Sequence, residues 1–527
     1  MNPRLVLPRL RRLAGEHKLF TGALAAGAVL RLLVMIGYPG ALWFAGDSYV
    51  YLGAALRPQP NLSKSTGYSF FLRLLLPFHS LTLVTAVQHL MGLAVAVLIY
   101  VLLRRNNVSK TWSAIATLPV LFDGYIIEDE HLIMAETVFT FLLMVAVCLL
   151  LWRPGVPRWW VAVIAGLLVG YAVIVRTEGV VMLAVLPLFL LLRGWSWKTL
   201  RGWLVAIVFA VASLVPLGAY MNWFHERTGH YGTTMSMGFY LWGRVSSFAD
   251  CARINPTGEQ AVVCPTQPIA DRTPPGNYVW HAPYVHQDLN SIGGPVSYAG
   301  NKLLTDFAVH AVEAQPLDYA KTVFFDTMLS FGFPRIAYPG AGTTYYYNFH
   351  LHYVTATYNM LPPDNPDHEW IPGGTAYQDW MAYGHQAPGV VNKVVAVPVL
   401  VYQRVVFTYG PLLAVIFVVG LGGVLSVTAA GRRGRGMRSL ASAQALRSVR
   451  VHWAPRGTTM LPWVTAVALL VTPIALADFD YRYLIPAIPF ACLAAGLAVA
   501  RRRPAPARPA APGTPASVET TVPDQVA

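Results

Sequence analysis

Residues 137–193 read TVFTFLLMVAVCLLLWRPGVPRWWVAVIAGLLVGYAVIVRTEGVVMLAVLPLFLLLR. Three apolar runs are separated by a basic break, Arg153-Pro154-Gly155-Val156-Pro157-Arg158, and by a break with both signs of charge, Arg176-Thr177-Glu178-Gly179. A helix rises 1.5 Å per residue, so runs of roughly 17–25 apolar residues cover the hydrocarbon core of a bilayer. Apolar runs alternating with charged breaks predict a chain that crosses a membrane repeatedly.

The rest of the chain repeats this pattern. Of 527 residues, 55% are hydrophobic and 12% charged, about half the charged share of an average soluble domain. Mean hydropathy is +0.47. Ten spans are expected, at 19–37, 81–103, 111–127, 137–152, 159–175, 179–193, 203–222, 405–429, 458–476 and 484–500. The fold expected is therefore all-α: a polytopic membrane protein of about ten transmembrane helices, with an extracytoplasmic, partly irregular cap. Its parts are a membrane module at 1–222, a long outer loop at 223–404 forming the cap, further membrane helices at 405–500, and a Pro- and Ala-rich disordered tail at 501–527. Amphipathic helices at 300–332 and 391–404 are expected to lie on the membrane surface.

Charge orients the chain. With a cytoplasmic N-terminus, the inner segments hold 24 of the 39 Lys and Arg but only Glu16, Glu519 and Asp524 of the 25 acidic residues. The inside then carries +21 and the remainder −7 of the +14 total. The positive-inside rule predicts a multi-pass plasma-membrane protein with both termini cytoplasmic. Arg11-Arg12, Arg104-Arg105, Arg432-Arg433 and Arg501-Arg502-Arg503 read as topology anchors, and no nucleic acid is expected as a partner. The first apolar run lacks a small-residue cleavage site and is expected to remain as a helix. Cys251 and Cys264 fall outside the membrane, where a disulfide between them is expected, whereas Cys148 and Cys492 lie in spans as small apolar residues.

Charged groups at the membrane edge are costly, and those that persist mark functional candidates. Four places qualify, all on the outer side: Gly46-Asp47-Ser48; Glu128-Asp129-Glu130-His131 with Glu136; Arg176-Thr177-Glu178; and Asp478-Phe479-Asp480-Tyr481-Arg482-Tyr483. Each has a plainer reading. Asp47 is well placed to cap a helix, Arg176 and Glu178 to pair with each other, and Arg482 to anchor at the interface. The crowded acids at 128–136 call for a cation, a metal or raised pKa values, with Asp129 and Glu130 as candidate metal ligands. Outer-face carboxylates with arginines suit deprotonation of a hydroxyl and neutralisation of a departing phosphate.

Gly46-Asp47-Ser48 with Tyr51-Leu52, Met134-Ala135-Glu136-Thr137, Arg176-Thr177-Glu178-Gly179 and Arg482-Tyr483 with Pro486 and Pro489 together resemble the C-type membrane glycosyltransferases. The closest likeness is to the polyprenyl-phosphate-sugar-dependent group related to protein mannosyltransferases and lipid A aminoarabinose transferases. The resemblance covers roughly the first 220 residues and the last membrane hairpin. It implies an active site at the outer face beneath loop one, with Asp47 as the base that activates the acceptor. Arg482 is the resemblance's candidate for the donor phosphate, with Arg176 and Lys64 as weaker ones, while Glu136, His131, Tyr481, Tyr483 and Glu178 would bind substrate. Some members use a divalent metal held by an Asp or Glu dyad in the second outer loop, a pattern that Glu128-Asp129-Glu130 matches poorly. The implied partners are a polyprenyl-phosphate sugar donor and a hydroxyl acceptor on a glycan, lipid or protein. A lipid-linked glycan ligase or phosphotransferase would draw on the same arginines, and a transporter also needs membrane charges. Against transport, the two halves show no repeat and the charges gather at one face.

Overall fold

The computed structural model describes residues 15–44, 47–281, 289–352, 371–385, 390–425, 427–429, 449–451 and 457–500. Gly46, the basic clusters at 11–12, 432–433 and 501–503, and the tail expected at 501–527 lie outside the described residues. Helix dominates, and the one strand ladder among the described residues is a short antiparallel pair, Val427–Ala429 with Val449–Val451.

Among the described residues, five helices are long and apolar enough to cross a membrane: Lys18–Gly37, Leu81–Arg105, Leu200–Thr228, Thr458–Leu476 and Tyr481–Ala498. The pair Lys393–Val405 and Gly410–Val424, bent by 56°, is either one broken span or a re-entrant loop. The described residues of this multi-pass membrane protein therefore show fewer clear spans than the ten expected. Three of the expected spans coincide with shorter apolar helices, Glu136–Leu151, Trp159–Val175 and Thr177–Leu192.

The expected span at 111–127 is instead three short helices, Lys110–Ile115, Leu118–Phe122 and Gly124–Asp129. Pro119 opens the second, and Asp123 caps the third by accepting Tyr125 and Ile126 amides through Oδ1. The other Asp123 oxygen accepts the Thr408 amide at 2.6 Å. Gly124 donates to the Val406 carbonyl, and Tyr402 Oη donates to the Phe122 carbonyl. Thus the break in one span fills the polar needs of the bend in the other, as buried backbone requires.

Close packing of small residues joins Trp159–Val175 to Leu200–Thr228. A Cβ at Gly166 or Gly170 would collide with the Phe209 or Ser213 carbonyl, so glycine sets the interhelical approach. Gly67, which opens the helix Gly67–Leu75 of loop one, meets the Ile174 carbonyl in the same way. That contact seats loop one on the end of Trp159–Val175.

The segment expected as a cap has its own core, in which Phe239, Trp242, Tyr278, Leu304 and Phe307 are buried together. Trp242 meets its polar need by donating Nε1 to the Val263 carbonyl at 2.8 Å. Cys251 and Cys264 are disulfide-bonded. The helix expected across 300–332 is two, Tyr298–Ala314 and Pro316–Leu329. Gln315 leaves helical geometry at φ −135°, ψ 54°, as a residue before proline tends to. The first of the two packs into the cap core, whereas the second exposes Leu317, Phe324 and Phe325.

Candidate active site

Loop one carries a short helix, Asp47–Leu56, whose first residue is an acid facing inward. Asp47 Oδ1 lies 2.8 Å from Lys64 Nζ, and Oδ2 lies 3.1 Å from Arg482 Nη1. Burial raises the Asp47 pKa, but the two cations outweigh it and hold the carboxyl below its ordinary value. For Lys64, burial disfavours the charge and Asp47 more than restores it, so its pKa is raised. Each charge thus stabilises the others out of water.

Arg482 sits on the single turn Tyr481–Tyr483 that opens the last helix. Asp480 caps that turn through the Arg482 amide and also lies 3.4 Å from Arg482 Nε. Tyr347 Oη donates to Asp480 at 2.8 Å. Burial raises the Asp480 pKa, and Arg482 opposes this. The Arg482 guanidinium lies 5.3 Å from both the Phe44 and the Tyr483 ring centroids, so aromatic faces help to fix its plane.

A second charged group adjoins the first. Arg176 follows the end of Trp159–Val175, pairs with Glu136 at the start of Glu136–Leu151, and donates to Glu178 at 2.8 Å. Its guanidinium carbon is 5.8 Å from the Tyr483 ring, which therefore stands between the two arginines. The Arg176 and Glu178 pairing that the sequence allowed is present, with the buried Glu136 as a third member.

Two cavities meet at this cluster. One, of about 310 Å³, is lined by Arg176, Glu178, Thr233, Thr234 and Pro473 besides Asp47, Lys64, Arg482 and Tyr483. The other, of about 610 Å³, shares those last four and adds the rings of Phe44, Trp280, Tyr346 and Phe479. Asp47, Lys64 and Arg482 therefore stand in the wall common to a hydroxyl-rich space and an aromatic-rich one.

Other expected site residues lie elsewhere. Glu130 and His131 belong to a buried network with Arg31 and His89, and neither lines a cavity at the cluster. Asp129 and Tyr481 line a small recess with Glu128, Arg335 and Tyr347, on the far side of Arg482, which also lines it. There Arg335 stacks over the Tyr125 and Tyr481 rings, and Tyr481 Oη accepts the Ile336 amide. The crowded acids are relieved one by one. Glu130 binds Arg31, Glu136 binds Arg176, Glu128 accepts the Gln403 amide, and Asp129 accepts the Thr137 hydroxyl. Burial raises the pKa of Asp129, with Glu136 adding to it, and burial likewise raises that of Glu128. Asp129 and Glu130 do not fit a shared metal, because both oxygens of Glu130 are held by Arg31. Among the described residues no group of three His, Cys, Asp or Glu side chains suits a metal ion.

Phe44, Tyr240 and Trp280 join the site without having been singled out from sequence, whereas Asp480 was named there within the turn at 478–483.

The acids and arginines gathered at this cluster belong to the motifs that carried the resemblance to the C-type membrane glycosyltransferases. Residues 74–230 match the family model of the dolichyl-phosphate-mannose-protein mannosyltransferases. The resemblance thus holds over the region with Glu136, Arg176 and Glu178, while Asp47, Lys64 and Arg482 lie outside it. Two solved structures from Archaeoglobus fulgidus are also similar. The apo oligosaccharyltransferase is 13% identical over 90% of this chain and 50% of its own, with a TM-score of 0.37. The oligosaccharyltransferase AglB in complex with an inhibitory peptide and a dolichol-phosphate is 13% identical over 90% of this chain and 49% of its own, with a TM-score of 0.39. The chain spans about half the length of these structures. Comparison with curated proteins gives no match.

Proposed function

We propose that the protein transfers a sugar from a polyprenyl phosphate to a hydroxyl acceptor at the extracytoplasmic face of the membrane, with inversion at the anomeric carbon. The observation that carries this reading is the Asp47 carboxylate, held by Lys64 and Arg482 in the wall shared by two cavities. A base between two substrate-sized spaces is placed for reaction between two bound molecules.

The two cations offer Asp47 a reason to be ionised and the donor phosphate a place to bind. When the phosphate draws Lys64 and Arg482 toward itself, Asp47 loses its partners and becomes a stronger base. The acceptor oxygen attacks the anomeric carbon as Asp47 takes its proton. The bond from that carbon to the phosphate oxygen breaks, and polyprenyl phosphate leaves with its charge met by Arg482 and Lys64. Charge stabilisation replaces leaving-group protonation in a transition state of oxocarbenium character. Asp47 and Arg482 line one space together, with Glu136 behind Arg176 rather than in its wall, and this gathering of charge favours the reading over a transporter with scattered charges. The parts 1–222, 223–404 and 405–500 serve as catalytic membrane module, acceptor-shaping cap and closing hairpin.

Supplying a single-sugar polyprenyl phosphate and a polyprenyl-diphosphate oligosaccharide separately tests the donor class. Release of polyprenyl phosphate from the first alone is expected. Release of lipid from the second alone identifies a lipid-linked glycan ligase instead.

A further inference from the structure

A row of four buried polar groups crosses the bundle behind the site. Glu130 Oε2 lies 2.8 Å from His89 Nδ1, His89 Nε2 lies 3.0 Å from His131 Nδ1, and His131 Nε2 lies 2.8 Å from the Tyr38 carbonyl. Both ends of this row are acceptors. The Tyr38 carbonyl has no proton to give. Glu130 receives Arg31 Nε and Nη2, each at 2.7 Å, on its two oxygens, a two-pronged contact in which both oxygens act as acceptors.

Three hydrogen bonds between two terminal acceptors need three N–H groups. Two neutral imidazoles supply two, since each then carries one donor and one acceptor nitrogen. We infer that His89 and His131 together hold one proton more than a neutral pair, and that this shared imidazolium is a strut positioning loop one against the turn that leads to Glu136.

The surroundings are built for that charge. His89, His131, Glu130 and Arg31 are each at most 3% exposed. Gly92, one turn beyond His89 on the same helix, lies so close to Glu130 that a Cβ there would collide with its carboxylate. Gln88 donates to the Glu130 and Leu132 carbonyls, and Tyr68 donates to Gln88. The charged groups facing the pair are thus Arg31 from the first helix and Glu130 from the turn, with the acid Asp129 next along the chain. Burial and the neighbouring His89 lower the His131 pKa to about 3, and it is His89, not His131, that lies against the Glu130 carboxylate.

What the strut joins matters to the site. Tyr38 closes the first helix and begins the segment that delivers Phe44 and Asp47. Leu42 exchanges backbone hydrogen bonds with His131 and Ile133, and Ser48 donates to the Ile133 carbonyl while accepting the Phe44 amide. His89 and His131 are therefore positioning residues for Asp47, a role that rests on the function proposed above. The proton count does not rest on it.

Histidine-selective 15N NMR of the full chain in nanodiscs near neutral pH reads the count directly. One of the two rings is expected with both nitrogens protonated, and its signals vanish in His89→Gln. An unprotonated ring nitrogen on each of His89 and His131 overturns the inference. The wild-type spectrum decides, and His131→Asn supplies the assignment if His89→Gln does not fold. Misplacement of a reacting group by about 1 Å costs on the order of a hundredfold, so His89→Gln is expected to lower kcat roughly ten- to a hundredfold with donor KM within about twofold. An unchanged kcat overturns the positioning role while leaving the proton count to the NMR.

Discussion

Asp47 Oδ2 and Arg482 Nη1 lie 3.1 Å apart although 435 positions separate them in the chain. The contact closes loop one onto the last membrane hairpin, so the site exists only when both ends of the fold are assembled. If Arg482 passes from Asp47 to the donor phosphate, Arg482→Gln weakens donor binding. Hydrogen bonds to charged groups contribute roughly 1.5–3 kcal/mol, so about a ten- to hundredfold higher donor Kd is expected in a binding titration with polyprenyl phosphate.

Arg176 holds Glu136 and Glu178 together with little exposure to water. Arg176→Met leaves Glu136 buried without its cation. Breaking a buried pair from one side costs about 3–5 kcal/mol, and thermal unfolding in detergent should show a markedly lower Tm. The double variant Arg176→Met with Glu136→Gln should recover part of that loss.

Asp478 accepts the Gly276 and Phe479 amides and the Tyr338 hydroxyl, which ties the cap to the outer turn before the last helix. Burial raises its pKa to about 7, against the opposing pull of Arg244. A carboxyl whose pKa is higher folded than unfolded binds protons more tightly in the native state. Its contribution to stability is therefore present at low pH and declines as pH rises from about 4 to about 7. Asp478→Asn should remove that decline, seen as a flatter dependence of Tm on pH across this window.

The Cys251 to Cys264 bridge closes a loop within the cap. Closing a loop of this length is worth roughly 3 kcal/mol in the chain-entropy model. Replacing both cysteines by serine should make the cap the first part to lose protection in hydrogen exchange, with the membrane helices little changed.

Much of the site was legible because charge next to apolar runs is rare enough to notice. Asp47, Lys64, Arg176, Glu178, Arg482 and Tyr483 line one cavity, and Glu136 adjoins it through its pairing with Arg176. Glu130 and His131 both join the network of Arg31 and His89 and line neither cavity at the cluster, and nothing in the spacing of their turn says which side faces the cavity. Arg31 and His89 were overlooked even though each lies inside an apolar run, where a charged or ionisable residue is itself a signal. The span expected at 111–127 failed for a different reason. Hydropathy cannot see that Pro119 and Asp123 break the helix to satisfy the bend at 406–409. The cap residues Trp280 and Tyr346 reach the site only through tertiary packing, and the cap sequence gave no period from which to infer it.

The central claim is that Asp47 is the base of a glycosyl transfer. Purified Asp47→Asn protein, presented with a polyprenyl-phosphate sugar and an acceptor, is to be compared with wild type for release of polyprenyl phosphate. A positioned base contributes about 10²–10⁴-fold, so turnover should fall by at least two orders of magnitude while donor binding stays within a few fold. Turnover within a few fold of wild type contradicts the account.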